Sequence, residues 1–385
     1  MCISGYGIVS AIGVGRGETL LSLKEGRRGL APARYLPTTH KELPLGEVKL
    51  SNSQMKALLG IPESHLVSRT SLMAMLAVQE ALQDAGDVSS FRPAFISGTT
   101  VGGMDISEQL PPQQREPEKW DCGASSQAVA DYFCYFSDVI TPSTACSSAA
   151  NALLLGARLI RAGRCEVVIA GGSECLSLFH LNGFRSLMIV DGELCRPFDA
   201  TRTGLNLGEG AAYVVLETEE HALARGAKPQ AYLDGWGNAC DAYHQTASSP
   251  EGEGAYLAMT QALEVAGLKP ADIGYVNAHG TGTPNNDESE SHALQRLFGA
   301  LLPPVSSTKG LTGHTTSASG SIEAVFCILA LQNGFLPGNA GFTTPFEGGI
   351  VPIREAIPAP DVKHVLCNAF GFGGNDTSLL ISKAL

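Results

Sequence analysis

Residues able to do chemistry gather in short segments rich in small side chains. In Thr141 to Arg164, Cys146 stands directly before a strongly apolar stretch of helical spacing, Ala149 to Ala162. A helix that is apolar around most of its circumference is a buried one. Its first turn holds unpaired N–H groups and the positive end of the helix dipole. A thiol placed there is expected to have a lowered pKa and to act as a thiolate nucleophile. Ala145, Ser147 and Ser148 are small enough to let a substrate approach. Taken alone, a cysteine in this position is more often a small core residue.

Two histidine segments change that balance. Asn277 to Pro284 follows a short apolar run and places His279 among Gly280, Thr281, Gly282 and Thr283. Ser307 to His314 ends on the second histidine, with an apolar helix expected over Ser321 to Leu331. A histidine at a strand end, backed by glycines, projects into a cleft where backbone approaches substrate closely. Near the end, Asn368 to Asn375 forms a glycine loop of the kind that aims N–H groups at a developing oxyanion. Neither a dinucleotide nor a triphosphate glycine pattern is present, so nucleotide binding is not supported.

The elements that must position these groups read as α/β. Strands are expected at Phe95 to Gly98, Glu166 to Gly172 and Ala211 to Glu217, and again at Tyr275 to Ala278, Val365 to Ala369 and Ser378 to Ser382. Their near-continuous apolar character fits strands buried on both faces. Helical spacing covers Leu72 to Ala85 and Ala255 to Gly267. The sequence reads as two related halves, 1–225 and 226–385, with Arg225 to Pro229 as the seam. The polar, Pro- and Gln-rich stretch Glu108 to Ala130 is expected to be a surface excursion near a subunit contact or an entrance.

Composition narrows the function classes. The 385 residues are 44% hydrophobic and 17% charged, which describes a folded chain and not a disordered one. A net charge of −12 argues against nucleic acid as a partner. The ten cysteines include no C-x-x-C pair, so they read as thiols in a reducing cytoplasm. Met1 leads into a strand-like run with no signal-peptide pattern, and no apolar stretch is long enough to suggest a membrane span.

The ordered set Thr144–Ser148, Asn277–Pro284, Ser307–His314 and Asn368–Gly374 resembles the elongating β-ketoacyl-acyl-carrier-protein synthases of the thiolase superfamily. The likeness runs from Gly5 to Ser382. It implies a five-layered αβαβα fold of two duplicated halves, and a dimer. It implies a transferase that condenses malonyl-carrier with an acyl chain held on Cys146, with His279 and His314 driving the loss of CO₂. Lys309 matches the lysine of the second histidine motif. Glu323 matches an acidic residue that orders the site. Thr281 and Thr283 match threonines that bind the phosphopantetheine arm. Phe372, followed by Gly373, matches a gate beside the nucleophile. His244, in Asp241 to His244, matches a segment lining the entrance. The resemblance implies no metal and no resident cofactor, since phosphopantetheine arrives on the acyl carrier protein.

Two departures bear on specificity. After the double glycine the family usually has Thr-Asn, whereas this chain has Asn375 and Asp376, with Asn375 expected to help order the site. The helix matching the carrier-docking surface usually carries several basic residues, and here Arg69 stands alone. With a shorter region before Cys146, these features resemble ketosynthases of aryl-polyene pathways. Some of those pair with a cysteine-less chain-length factor. The chain is then a homodimer, a catalytic subunit that requires such a partner, or a non-catalytic partner; the last conflicts with the intact cysteine and histidines. A thiolase would need a second cysteine, for which Cys367 is the nearest candidate, and its strand position points to the core. A cysteine hydrolase would need a Cys–His–Asn/Asp set that is not evident.

Overall fold

The computed structural model describes residues 1–384. The principal elements, in chain order, are β1 (Cys2–Ser10), α1 (Arg69–Ala85), β2 (Ala94–Gly98), α2 (Cys122–Phe133), β3 (Val139–Ile140), α3 (Ser148–Arg161), β4 (Val167–Glu174), α4 (Leu178–Ser186) and β5 (Gly210–Glu217). They continue with β6 (Ala231–Cys240), α5 (Glu253–Ala266), β7 (Tyr275–Asn277), α6 (Pro284–Phe298), β8 (Val305–Ser306), α7 (Ser319–Asn333), β9 (His364–Gly371) and β10 (Asn375–Lys383).

Strand order displays the duplication. One half runs β3-β2-β4-β5-β1 and the other β8-β7-β9-β10-β6, the same order repeated. In each half the first three strands are parallel, and the remaining two pairings are antiparallel. The halves are stitched where β1 pairs with β6, Cys2 opposite Tyr232 and Ile3 opposite Ala231. Helices α1 and α5 cover β1 and β6 from outside, while α3 and α7 lie between the halves and pack on both. This is the αβαβα layering that the resemblance implied.

The middle layer depends on a close approach. Gly320 in α7 faces Ala150 in α3, where an added Cβ would lie 2.7 Å from the Ala150 Cβ and 2.8 Å from its N. The helices can cross this closely only through a residue without a side chain. Every residue of α7 from Ser319 to Leu331 is buried, as its apolar circumference predicts. Glu323 is the one charged side chain in that run, and a carboxylate there must find a partner.

Two expectations need correction. Arg69 is not a surface base. It is buried, donates to both Glu209 carboxylate oxygens and to the carbonyls of Val48 and Leu50, and so offers nothing to a docking partner. The stretch from Glu108 to Ala130 is only partly an excursion: residues 111–116 are exposed, but α2 turns Val129 and Ala130 inward. Cys367 meets its expectation, lying in β9 and buried in the core.

Candidate active site

The chemistry-bearing residues occupy loops that leave the C-terminal ends of the parallel strands, the usual rim for a ligand site in α/β folds. Cys146 lies between β3 and α3, His279 just beyond β7, His314 between β8 and α7, and Phe372 just beyond β9. They meet in a cavity of about 270 Å³ that Thr281 and Thr283 also line, with Phe184, Ile189 and Leu205 as apolar wall. A larger cleft of about 460 Å³ around Glu47, Arg69 and Glu209 holds neither the cysteine nor the histidines.

The turn that carries the cysteine is tight. Ala145 adopts φ 51°, a left-handed conformation costly for alanine, and Cys146 follows it at the head of α3. Gly371 lets β9 pass close by, since a Cβ there would be 3.2 Å from Cys146 N. His314 Nε2 lies 3.0 Å from Cys146 Sγ, and the N–H groups of Phe372 and Cys146 face the sulfur. The expected lowering of the thiol pKa does not hold in this closed site. Burial pushes it up to about 12, against the opposing pull of Lys309 and the two N–H groups. Desolvation of the anion outweighs the helix end, so the resting group is a neutral thiol beside an imidazole.

The two histidine rings stand 5.2 Å apart, nearly perpendicular. Burial, followed by the positive charge of Lys309, holds both well below the ordinary histidine pKa, so both are neutral. Their second nitrogens differ. His279 Nδ1 is 3.3 Å from Lys309 Nζ, an ammonium that only donates, so the ring proton belongs on Nε2. His314 Nδ1 meets Ser319 Oγ at 3.0 Å, and a hydroxyl can donate or accept, so either tautomer is satisfied.

Lys309 and Glu323 stand behind the cavity and line none of it. Lys309 Nζ donates to His279 O at 2.6 Å and to Glu323 Oε1 at 2.5 Å. Burial raises Glu323 to about 7 despite that partner. Asn375 Oδ1 accepts from Ser147 Oγ, Asn151 Nδ2 and Asn238 Nδ2 at 2.7, 2.9 and 3.1 Å, which ties the glycine loop to the turn beside Cys146. The hydroxyls of Thr281 and Thr283 lie 2.8 Å apart on the cavity wall.

Two expected residues fall outside the lining. His244 is exposed, and its Nδ1 accepts from Thr246 N, while Thr246, Ala247 and Ser248 of the same segment do reach the cavity. The segment is where the resemblance put it, but a local turn points this residue to solvent. Gly373 is exposed at φ 83° and serves as a bend beyond Phe372.

Several supports have no local signature. Glu290 accepts from the backbone N–H of His279 and Gly280 at 2.9 and 2.8 Å and fixes that loop. Its one signal is an acidic residue on the buried face of α6 that also carries Ala293 and Leu294. Asn206 O accepts from His314 N at 2.7 Å, joining segments more than a hundred residues apart. Phe184 of α4 stacks on Phe372, with centroids 5.8 Å apart and planes 21° from parallel.

Comparison with known proteins agrees with this geometry. The profile described as "Beta-ketoacyl synthase, N-terminal domain" matches residues 1–222, and "Beta-ketoacyl synthase, C-terminal domain" matches 230–343. The chain is 31% identical to 3-oxoacyl-[acyl-carrier-protein] synthase 1 of Haemophilus influenzae over 99% of its own length and 98% of that protein. It is 33% identical to nodulation protein E of Rhizobium meliloti over 98% and 97%. Among solved structures, the ishigamide ketosynthase/chain length factor superposes with TM-score 0.91 at 30% identity, covering 100% of this chain and 99% of that one. The ketosynthase ApeO in complex with its chain length factor ApeC, from Xenorhabdus doucetiae, gives 0.84 at 31%, covering 100% and 98%. Fold, site loops and relatives together place the chain in the β-ketoacyl synthase family of condensing enzymes.

Proposed function

We propose that this 3-oxoacyl-carrier-protein synthase carries its acyl chain on Cys146 and uses His279 and His314 as the pair that stabilises the malonyl-derived enolate. The observation that carries the assignment is the 3.0 Å contact between Cys146 Sγ and His314 Nε2, made inside a cavity that His279 also faces. In the first half-reaction Cys146 Sγ attacks the thioester carbon of acyl-carrier. Its proton passes to His314 Nε2 and then to the departing pantetheine sulfur. The N–H groups of Cys146 and Phe372 hold the tetrahedral oxyanion, each contributing about 3 kcal/mol.

In the second half-reaction malonyl-carrier enters along Thr281 and Thr283. Its thioester oxygen takes hydrogen bonds from His279 Nε2 and from His314 Nε2, now in its protonated-Nε2 tautomer. The bond to the carboxylate breaks, CO₂ leaves, and the electron pair becomes the enolate. The enolate carbon then attacks the acyl-Cys146 carbonyl, the C–S bond breaks, and the departing Sγ takes the His314 Nε2 proton while Nδ1 takes one from solvent, the proton that the reaction consumes. Neutral imidazoles suit this step because N–H donors stabilise developing charge in a dry site. Lys309 and Glu323 are positioning residues acting through His279.

The Cys146, His279 and His314 ligand atoms lie within 4.8 Å of one another, close enough for one transition-metal ion. Our reading leaves them free, so activity should survive a chelator and the purified protein should carry no stoichiometric zinc. No resident cofactor enters the scheme. Among the described residues no helix is long and apolar enough to cross a membrane. With ten free cysteines, the chain fits a reducing cytoplasm.

We also place the enzyme in a specialised polyene pathway, working with a chain-length-factor-like partner rather than as a homodimer. The likeness to two ketosynthases solved with chain length factors supports the partner, and the near-parallel Phe184–Phe372 pair on the cavity wall supports the flat conjugated chain. Intact mass spectrometry tests both readings. It should show an acyl group on Cys146 from acyl-carrier, faster with polyenoyl than with saturated chains, and 3-oxoacyl-carrier after malonyl-carrier is added. Acylation elsewhere, or none, overturns the assignment; a preference for long saturated chains overturns the pathway.

A further inference from the structure

The loop beyond Phe372 ends on an acidic residue that the chemistry above does not use. Asp376 is 3% exposed, and its Oδ1 has no hydrogen-bond partner among the described residues. Its carboxyl presses on Gly254 in the first turn of α5, where an added Cβ would overlap Asp376 Oδ2 and lie 3.3 Å from Asp241 Cβ. Asp241 roots the 241–250 segment whose Thr246, Ala247 and Ser248 line the cavity. Its carboxylate accepts from Tyr243 N at 3.1 Å and Ser249 N at 2.9 Å, and its own N–H donates to Gly374 O at 3.2 Å. Gly373 and Gly374 bend the loop at φ 83° and 73°, and a Cβ on Gly374 would overlap Asp241 Oδ1. The hinge of the Phe372 loop and the root of the entrance segment are thus clamped together over two carboxyls.

The charged surroundings of Asp376 are one-sided. Asp241 on the entrance segment and Glu290 on α6 act on it with, among the described residues, no lysine or arginine beside them, while Glu253, in the first turn of α5, is paired with Arg296 at 2.8 Å. A buried carboxyl facing a second carboxylate resists ionisation. Burial first, then Asp241 and Glu290, hold the Asp376 carboxyl up to about 8. An asparagine in its place would keep its hydrogens at every pH; a carboxyl offers one only while protonated.

We infer that Asp376 is a proton-operated latch: protonated, it keeps the 371–376 loop and the 241–250 segment locked over the cavity, and loss of the proton loosens both and widens the entrance to Cys146. The kinetic part of the test rests on the proposed acyl transfer, whereas the structural part does not.

Hydrogen exchange of the two segments, corrected for intrinsic rates, is followed from about pH 6 to about pH 9.5, a window that brackets the raised Asp376 value of about 8 and lies above that of an ordinary carboxyl. In the native protein both segments should lose protection together, about tenfold, with a midpoint near the Asp376 value. In Asp376→Asn the change should vanish, and in Asp241→Asn the midpoint should move to lower pH, because a like charge has gone. The KM for acyl-carrier should vary with pH in the native enzyme and be flat in Asp376→Asn. Unchanged pH dependence of exchange in Asp376→Asn, or none in the native protein, overturns the latch. Loss of latch behaviour with acyl transfer intact condemns only the latch; intact latch behaviour without acyl transfer condemns only the assignment of Cys146.

Discussion

The two halves share a scaffold and divide the work. Cys146 occupies the connection from β3 to α3, and His314 occupies the matching connection from β8 to α7. In the first half the helix begins two residues after the cysteine, so Sγ sits at the helix head. In the second half two short helical turns, Lys309–Thr312 and Thr316–Ala318, flank the histidine and separate it from α7. That longer connection carries the imidazole across to face the sulfur. The connection after β7 carries His279, whereas its counterpart after β2 spends Thr99 and Thr100 on the buried Glu174. Duplication supplied two equivalent rims, and one rim became nucleophile and the other became the electrostatic machinery.

That division can be broken one residue at a time. Cys146→Ala should lower acyl transfer by at least about 10⁴-fold while leaving malonyl-carrier decarboxylation in place, since the second half remains whole. Release of labelled CO₂ measures the remnant; its loss would show that the halves do not act separately. His279→Ala and His314→Ala should each lower condensation by about 10²–10³-fold. They should part company in single-turnover acylation, where His314→Ala is also slow because its Nε2 meets the sulfur, and His279→Ala is near native. Equal acylation rates for the two would refute a proton-relay role for His314.

The supports behind the second half should register in stability. Lys309→Met strands Glu323 inside a wholly buried stretch of helix and should cost about 3–5 kcal/mol in denaturant unfolding. The Lys309→Met/Glu323→Met double variant should recover much of that loss, since no unpaired charge remains. The histidines set a pH limit. Their folded pKa values lie below the ordinary value of 6.5, so the unfolded chain binds more protons between the two. The contribution of the histidines is therefore full above about pH 6.5 and falls as the pH drops below it, opposite in sign to that of the raised carboxyls of Glu323 and Asp376, and melting curves of the native chain against a His279→Gln/His314→Gln variant would isolate it. The smallest effect belongs to the tie between halves. Asn375→Thr removes an amide oxygen holding three donors and should slow acylation by several-fold, about 1 kcal/mol. No change there would mean that the loop is held by Thr377 and Asn238 alone.

Cys146, His279 and His314 could be read from the chain because each sits in a short run of small residues whose order along the sequence is diagnostic. Strands and helices were equally legible, because runs that are apolar throughout differ in length and in their flanking glycines even where they carry no periodicity. The tertiary structure decided what depends on dielectric and direction. It turned the Cys146 thiol from an expected thiolate into a neutral group, because burial exceeds what a helix end returns. It moved Arg69 from a docking surface to an ion pair with Glu209, 140 residues away. It sent His244 to solvent while its neighbours line the cavity, and it brought Asp376 against Asp241. Residue type and spacing specify which groups a protein possesses. Which of them keep their water, and which face one another, is fixed only when segments far apart in sequence close around the same small volume.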